Sequence, residues 1–280
     1  MNEIFYKYHG LGNDFVLIDR RFGGVDIDST TTQRLCDRRR GIGADGILVI
    51  LPGRGGLARM VVHNADGSVP EMCGNGLRCA VKYLLDHSTS KLNRVVIDTD
   101  AGPLVCEATY SDQEVDTVEV GMGRPLLIAP NLPSHRTGQP FVDAVLSGHS
   151  PLRGTAVSIG NPHLVLFDVP GDPDRIGPSL EHHPDFPERT NVEFVERFQG
   201  LLKVVVWERG VGFTEACGTG ACAAVVAAVI EKRIEPDQWI AVALPGGNLQ
   251  IRVDHQLSSV QMKGPATFVF QTHVSSSLTG

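Results

Sequence analysis

The chain carries its own partial copy. GNDFVLID runs from Gly12 to Asp19, and GNPHLVLFD runs from Gly160 to Asp168. Each is followed by a cysteine turn: CGNGLRCA from Cys73 to Ala80, and CGTGACAA from Cys217 to Ala224. Asn13 precedes Cys73 by 60 positions and Asn161 precedes Cys217 by 56. Nine positions before each cysteine a polar residue ends a β-rich run, Asn64 after ARMVVH and Glu208 after LKVVVW. DTDAGPL at 98–104 and ALPGGNL at 243–249 continue the echo. A unit this long, written twice, excludes a solenoid of short repeats. In 280 residues it predicts two similar lobes about an approximate two-fold axis, with a ligand cleft where they meet.

Local patterns give each lobe its content. FYKYH, DFVLID, GILVIL, RMVVH, RVVIDT and TVEVGM read as strands in the first half. VSIG, HLVLFD, VEFVE, KVVVW, WIAVAL, LQIRV, SVQM and TFVFQ do so in the second. A helix is expected after each cysteine turn, over Asn75–Asp86 and Gly218–Lys232, the second apolar on nearly all sides and so buried. The expected class is α+β: two pseudo-symmetric lobes, each a twisted, mostly antiparallel, barrel-like sheet around a central helix. The first lobe is assigned 1–121 with Cys73, and the second 122–264 with Cys217. Residues 129–154, rich in Pro, Gly, Ser and His, read as the connection, and the SSSLTG tail as disordered.

Composition excludes several function classes. A formal net charge of −7 argues against a nucleic-acid partner. Arg38, Arg39 and Arg40 read as cations at a solvated helix end. The longest apolar run, Ala221–Ile230, falls short of the ~20 residues of a membrane span. The first residues, MNEIFYKYHG, lack a secretory pattern, which predicts a cytoplasmic location and reduced thiols. The six cysteines have no metal-knuckle spacing, so no metal is expected. Cys36, Cys79, Cys106 and Cys222 read as buried apolar groups.

Cys73 and Cys217 differ from these four. Each opens a Gly-flanked helix at an equivalent place in the repeat. A helix N-terminus favours negative charge and is expected to lower a thiol pKa from its usual ~8.5. The N–H groups of Gly74–Asn75 and Gly218–Thr219 form anion sites suited to a carboxylate. Two sulfurs on either side of one α-carbon suit stereoinversion: one removes the α-proton as thiolate, the other donates a proton to the opposite face. The same residues also admit a redox disulfide pair or a non-catalytic binding module.

The motifs HGLGNDF (9–15), GIGADG (41–46), NADGS (64–68), CGNGLRCA (73–80), IGNPH (159–163), RTNVEF (189–194), ERGVG (208–212) and ACGTGACA (216–223) together resemble the diaminopimelate epimerase family. The resemblance implies a cofactor-independent epimerase that interconverts LL- and meso-diaminopimelate, working as a homodimer. It implies catalytic Cys73 and Cys217, with His163 and Glu208 assisting their ionisation. It places Asn13, Asn64, Gly74, Asn75, Asn161, Asn191, Glu208, Arg209, Gly218 and Thr219 around the substrate. It also implies that a strand near 265–274 returns to the first lobe. Cys73 is expected to be the base for the LL isomer. Proline racemase and hydroxyproline epimerase share the two-cysteine logic, but their one-carboxylate substrates leave a distal Asn/Arg cluster without a purpose. Three positions depart from the family pattern: Gly46, where some members have Gln; His63, where Phe or Tyr is frequent; and Phe213–Thr214–Glu215 after ERGVG.

Overall fold

The computed structural model describes residues 3–134, 138–148, 152–169 and 171–274. The expected tail and parts of the expected connection lie outside them. The chain divides into two compact units, Met1–Val120 with Lys263–Gly280, and Gly121–Met262.

The first unit contains β1 (Phe5–Gly10), β2 (Asn13–Asp19), α1 (Ser29–Cys36), β3 (Gly46–Pro52), β4 (Ala58–Asn64), α2 (Gly74–Asp86), β5 (Arg94–Thr99), β6 (Gly102–Ser111) and β7 (Glu114–Gly123). The second contains β8 (Ala144–Val145), β9 (Arg153–Ser158), β10 (Pro162–Phe167), α3 (Pro173–Glu181), β11 (Asn191–Phe198), β12 (Leu201–Glu208), β13 (Gly212–Thr214), α4 (Gly218–Ile230), β14 (Ile240–Leu244), β15 (Gly247–Val253) and β16 (Val260–Pro265) as far as Met262. The last strand, β17 (Thr267–Thr272), pairs antiparallel with β1, so the chain end completes the first unit.

Strand directions restate the duplication. Along β1–β2–β3–β4–β5–β6 the pairings run antiparallel, parallel, antiparallel, parallel, antiparallel. Along β9–β10–β11–β12–β14–β15 they run in the same order. Antiparallel neighbours are joined by tight turns. Leu11 and Gly12, both at positive φ (58° and 87°), close β1 onto β2, the twist a two-residue hairpin needs. Parallel neighbours need a crossover: α1 and α3 lie within the first parallel connection of each unit, α2 and α4 within the second.

Each set of parallel strands is buried on both faces, and side chains alternate between them. In the first unit Val16, Ile18, Ile47 and Val49 pack with Leu35 of α1. Leu48, between them in sequence, points at Gly76 of α2. In the second unit Leu164, Leu166, Val192 and Phe194 pack with Leu180 of α3, and Glu193 points at Gly220 of α4. The central helices are buried almost throughout. In α2 this includes two cations held by local acceptors. Arg78 donates to the Pro265 carbonyl (3.1 Å) and to Asn75 Oδ1 (2.9 Å). Lys82 donates to the Val115 carbonyl (2.7 Å) and pairs with Asp86 (2.9 Å).

Several expectations need correction. α1, α3, β6, β8 and β13 were not anticipated, β8 lying within the expected connection. The second helix ends at Ile230 rather than Lys232, which sits at φ 56°. The VSIG strand begins earlier, at Arg153, and ends at Ser158. The arginine run lies in a turn beyond the end of α1 at Cys36, where Arg38 forms ion pairs with Asp14 (2.6 Å) and Asp45 (2.7 Å). Cys36, Cys79, Cys106 and Cys222 are all buried, as expected.

Candidate active site

Cys73 and Cys217 are the N-caps of the two central helices. Both have extended backbone (φ −137°, ψ 115° and φ −114°, ψ 107°), and each Sγ accepts from the N–H three residues on, Gly76 and Gly220, both at 3.4 Å. The thiol thus takes the place of the usual hydroxyl or carboxylate cap. A side chain at that third position would be crowded. A Cβ at 76 would lie 2.8 Å from Leu48 Cδ2; one at 220 would lie 2.9 Å from Glu193 Oε1 and 3.3 Å from Cys217 Sγ.

The expected fall in thiol pKa does not hold at Cys217. Burial, then the negative charges of Glu208 and Glu193, push this thiol well above its ordinary value. The Thr219 hydroxyl and the Gly220 N–H pull the other way without prevailing. With 6% of its surface exposed, the sulfur has too little solvent for the helix end to decide its charge state.

In the first unit Asn13, Asn75 and the helix cap are tied together. Asn75 donates to Asn13 Oδ1 (3.1 Å), and Asn13 donates to Asp45 Oδ2 (3.0 Å). Behind them Asp14 is held by Lys7 and Arg38. Burial raises the Asp14 carboxyl, but bonds from Arg38 and Lys7 outweigh it and bring it down to about 2. Gly74 is buried at the first turn of α2. Asn64 is exposed at the end of β4, and its amide donates to Ser68 Oγ (2.9 Å) in the NADGS turn. Of the departures in this unit, Gly46 leaves no room for a side chain, since a Cβ would lie 2.6 Å from the His63 carbonyl oxygen. His63 is buried, with Nε2 2.8 Å from Asp26 Oδ1.

In the second unit polar side chains line up toward Cys217. His163 Nδ1 lies 2.6 Å from Glu193 Oε1, and Nε2 lies 2.9 Å from Asn161 Oδ1. Asn161 donates to Thr219 Oγ1 (3.4 Å), which is 3.5 Å from Cys217 Sγ. His163 and Glu193 are fully buried. Burial raises the Glu193 carboxyl and His163 opposes the rise. Gly218 is buried at the first turn of α4.

Glu208 ends β12 and accepts from the Thr214 hydroxyl at 2.5 Å, while Phe213 packs edge-on to Trp207. Phe213 and Thr214 both depart from the family pattern here, and Thr214 bonds the acid directly. The Asn191 amide is engaged with backbone, accepting from Arg209 N–H (2.9 Å) and donating to the Pro162 carbonyl (3.0 Å). The Arg209 guanidinium donates to the Glu188 carbonyl (2.9 Å).

Sequence reasoning missed three organising residues. Arg78 holds Asn75. Glu181 holds the Arg209 loop by accepting from Gly210 N–H (2.9 Å) and Trp207 Nε1 (2.8 Å). Glu193 holds His163. Its signal was present in RTNVEF, an acid set between Val192 and Phe194 in the buried half of a strand.

The sequence model of the family described as diaminopimelate epimerase matches residues 5–128 and 155–269. A protein named diaminopimelate epimerase from Synechocystis is 46% identical over 275 residues, covering 95% of this chain and 96% of its own. One of the same name from Desulfitobacterium hafniense is 44% identical over 274 residues, covering 95% of each. Among solved structures, a probable proline racemase from Agrobacterium radiobacter superposes with TM-score 0.71 at 14% identity, over 98% of this chain and 93% of that one. A hydroxyproline epimerase from Agrobacterium vitis gives 0.70 at 16%, over 97% and 90%. At that identity the likeness is one of fold.

An α+β fold carrying one thiol-capped helix in each of two duplicated units, with relatives of this kind, defines an isomerase of the epimerase class. The chain belongs to the diaminopimelate epimerase family.

Proposed function

We propose that the chain interconverts LL- and meso-2,6-diaminopimelate by two-base proton transfer, with Cys73 and Cys217 acting on opposite faces of one α-carbon. One observation carries this reading: two sulfurs cap two buried helices at equivalent points of a duplicated strand order. One sulfur as thiolate takes the α-hydrogen; the other as thiol supplies a proton to the far face, and the thiolate and thiol exchange places. The charge left on the substrate spreads into its carboxylate, beside the helix N–H groups at Gly74–Asn75 and Gly218–Thr219.

The thiol of Cys217 is held protonated by its surroundings, which favours it as the donor and Cys73 as the base for the LL isomer. In this reading Asn13, Asn64 and Asn161 border the substrate. Asn191 presents Arg209, whose fork suits the distal carboxylate. Glu208 holds the α-ammonium, and His163 assists cysteine ionisation; Glu208 can do so only by taking up the proton, since its charge opposes the Cys217 thiolate. The family resemblance adds a homodimer, and a biosynthetic enzyme of this kind suits a cytoplasmic setting. Among the described residues, no helix is long and apolar enough to cross a membrane.

The test is LL-diaminopimelate in D₂O under reducing conditions without pyridoxal phosphate. Meso product with α-deuterium is expected from the wild type. Cys73→Ala and Cys217→Ala each abolish epimerisation, whereas Cys79→Ala and Cys222→Ala retain it. Continued turnover in either of the first two variants rejects the mechanism. Light scattering reports the dimer.

A further inference from the structure

Comparison of the two units at matched register isolates one difference. Phe15 pairs with Gly46 and Leu17 with Leu48; His163 pairs with Asn191 and Val165 with Glu193. Phe15 therefore corresponds to His163, and Leu48 to Glu193. All four side chains are buried. The partner of position 48 is Gly76 and the partner of position 193 is Gly220, the third residue after each capping cysteine. The scaffold closes in the first unit with an apolar pair here, so it does not need a charged one.

A buried polar pair that packing does not require is more often neutral or costly than stabilising. Its presence in one copy alone asks for a function. Glu193 Oε1 lies 2.6 Å from His163 Nδ1, while Glu193 Oε2 is buried without a partner. Beyond His163 the bonds have one polarity. With the imidazole Nε2 hydrogen on Asn161 Oδ1, the Asn161 amide hydrogen falls to Thr219 Oγ1. That oxygen then has its own hydrogen to give, and Cys217 Sγ is 3.5 Å away.

We propose that Glu193 is a positioning residue for Cys217: by fixing the ring of His163 and holding it as an imidazolium, with a hydrogen on both nitrogens, it sets the direction of the His163–Asn161–Thr219 chain, so that the Thr219 hydroxyl donates to the sulfur. This rests on the reading of Cys217 as a proton-transfer residue. The chain favours the thiolate in a site where Glu208 and Glu193 themselves oppose it. The groups facing the sulfur are thus Glu208 at the end of β12, Glu193 on β11 and the Thr219 hydroxyl and Gly220 N–H of α4. His163 on β10 acts through the chain. No atom is transferred along it; it is a directed set of hydrogen bonds, which strengthen one another where solvent is excluded.

The experiment compares wild type, Glu193→Gln, Thr219→Val and their double variant in the deuterium-incorporation assay across pH, with folding followed by circular dichroism. Glu193→Gln is expected to lower kcat about tenfold to a hundredfold, the size of losing a hydrogen bond to a charged group, with KM little changed. With meso-diaminopimelate as substrate, where Cys217 acts as the base, the limb of kcat/KM that rises with pH moves up by about one unit, as a tenfold weaker stabilisation of the thiolate requires. Thr219→Val moves it in the same direction, and the double variant is no slower than the worse single, because both cut one chain. His163→Phe/Glu193→Leu, which copies the first unit, folds with a Tm near wild type yet loses activity as severely.

A folded Glu193→Gln enzyme with wild-type kcat and an unmoved limb overturns the proposal. So do losses that multiply in the double variant, or full activity in the Phe/Leu variant. Should Glu193→Gln fail to fold, Thr219→Val and the Phe/Leu variant still decide. Cys217→Ala separates the two readings. If it is inactive while Glu193→Gln is unimpaired, only the role of Glu193 falls; if Cys217→Ala turns over, the parent mechanism falls and this proposal with it.

Discussion

A methyl group at position 220 would touch two functional atoms at once, Glu193 Oε1 and Cys217 Sγ. Gly220→Ala should therefore cost both stability and rate: about 1–3 kcal/mol in urea unfolding, the range for overpacking a closed site, and a kcat loss of at least tenfold. Gly76→Ala presses instead on the flexible end of Leu48, so its activity loss should be smaller than its loss of stability. Equal kinetic damage from both variants would show that the glycines serve only helix geometry. At this scale the sequence was informative about which atoms matter and misleading about their state. The Cys-Gly turns announced the capped helices. The charge state of Cys217 depended on how deep the sulfur lies and on which acids face it, and Glu193, 24 positions away in the chain, left no local sign of that.

The β1–β2 hairpin presents Asn13 on a base of opposed charges: Asp14 between Lys7 and Arg38, and Asp45 with Arg38. The Asp14 carboxyl titrates at about 2 in the folded chain and near 3.9 when unfolded. A depressed carboxylate stabilises the fold above its unfolded pKa, and that stability is lost as pH falls through the folded value. Acid unfolding followed by circular dichroism should thus steepen between about pH 4 and pH 2, and Asp14→Asn should flatten that segment while lowering stability at neutral pH. Elements with a strong period were readable in advance, including both central helices and the paired runs of Val, Ile and Leu. Those that were missed share a reason. β6 alternates with most of its side chains outward. α1 is short and opens on a run of Thr residues, and α3 carries Gly177 and Pro178; in each the local propensity is too weak to announce the element.

Across the whole molecule the duplication was legible because spacing between motifs survives where residue identity does not. What spacing left unread was how the copies differ, since that depends on strand register. The distribution of thiols also has a molecular consequence. Burial pushes Cys36 up to about 11, and Cys79 and Cys106 up to about 12. The unfolded chain ionises its thiols near 8.5, so above that pH it binds fewer protons than the folded chain and stability declines. Urea midpoints measured under reducing conditions should drop between about pH 8 and pH 10, with sign opposite to the acid effect at Asp14. A constant midpoint would mean these sulfurs are more hydrated than their packing indicates.

The pairing of β1 with β17 has a further meaning during synthesis. A nascent chain leaves the ribosome from its N-terminus, and domains ordinarily fold in that order. Here the second unit is one continuous stretch, whereas the first lacks an edge strand until residues 267–272 have emerged. The half that is made first is therefore the half that finishes last, and β1 must wait with one side unpaired while the rest of the polypeptide is translated.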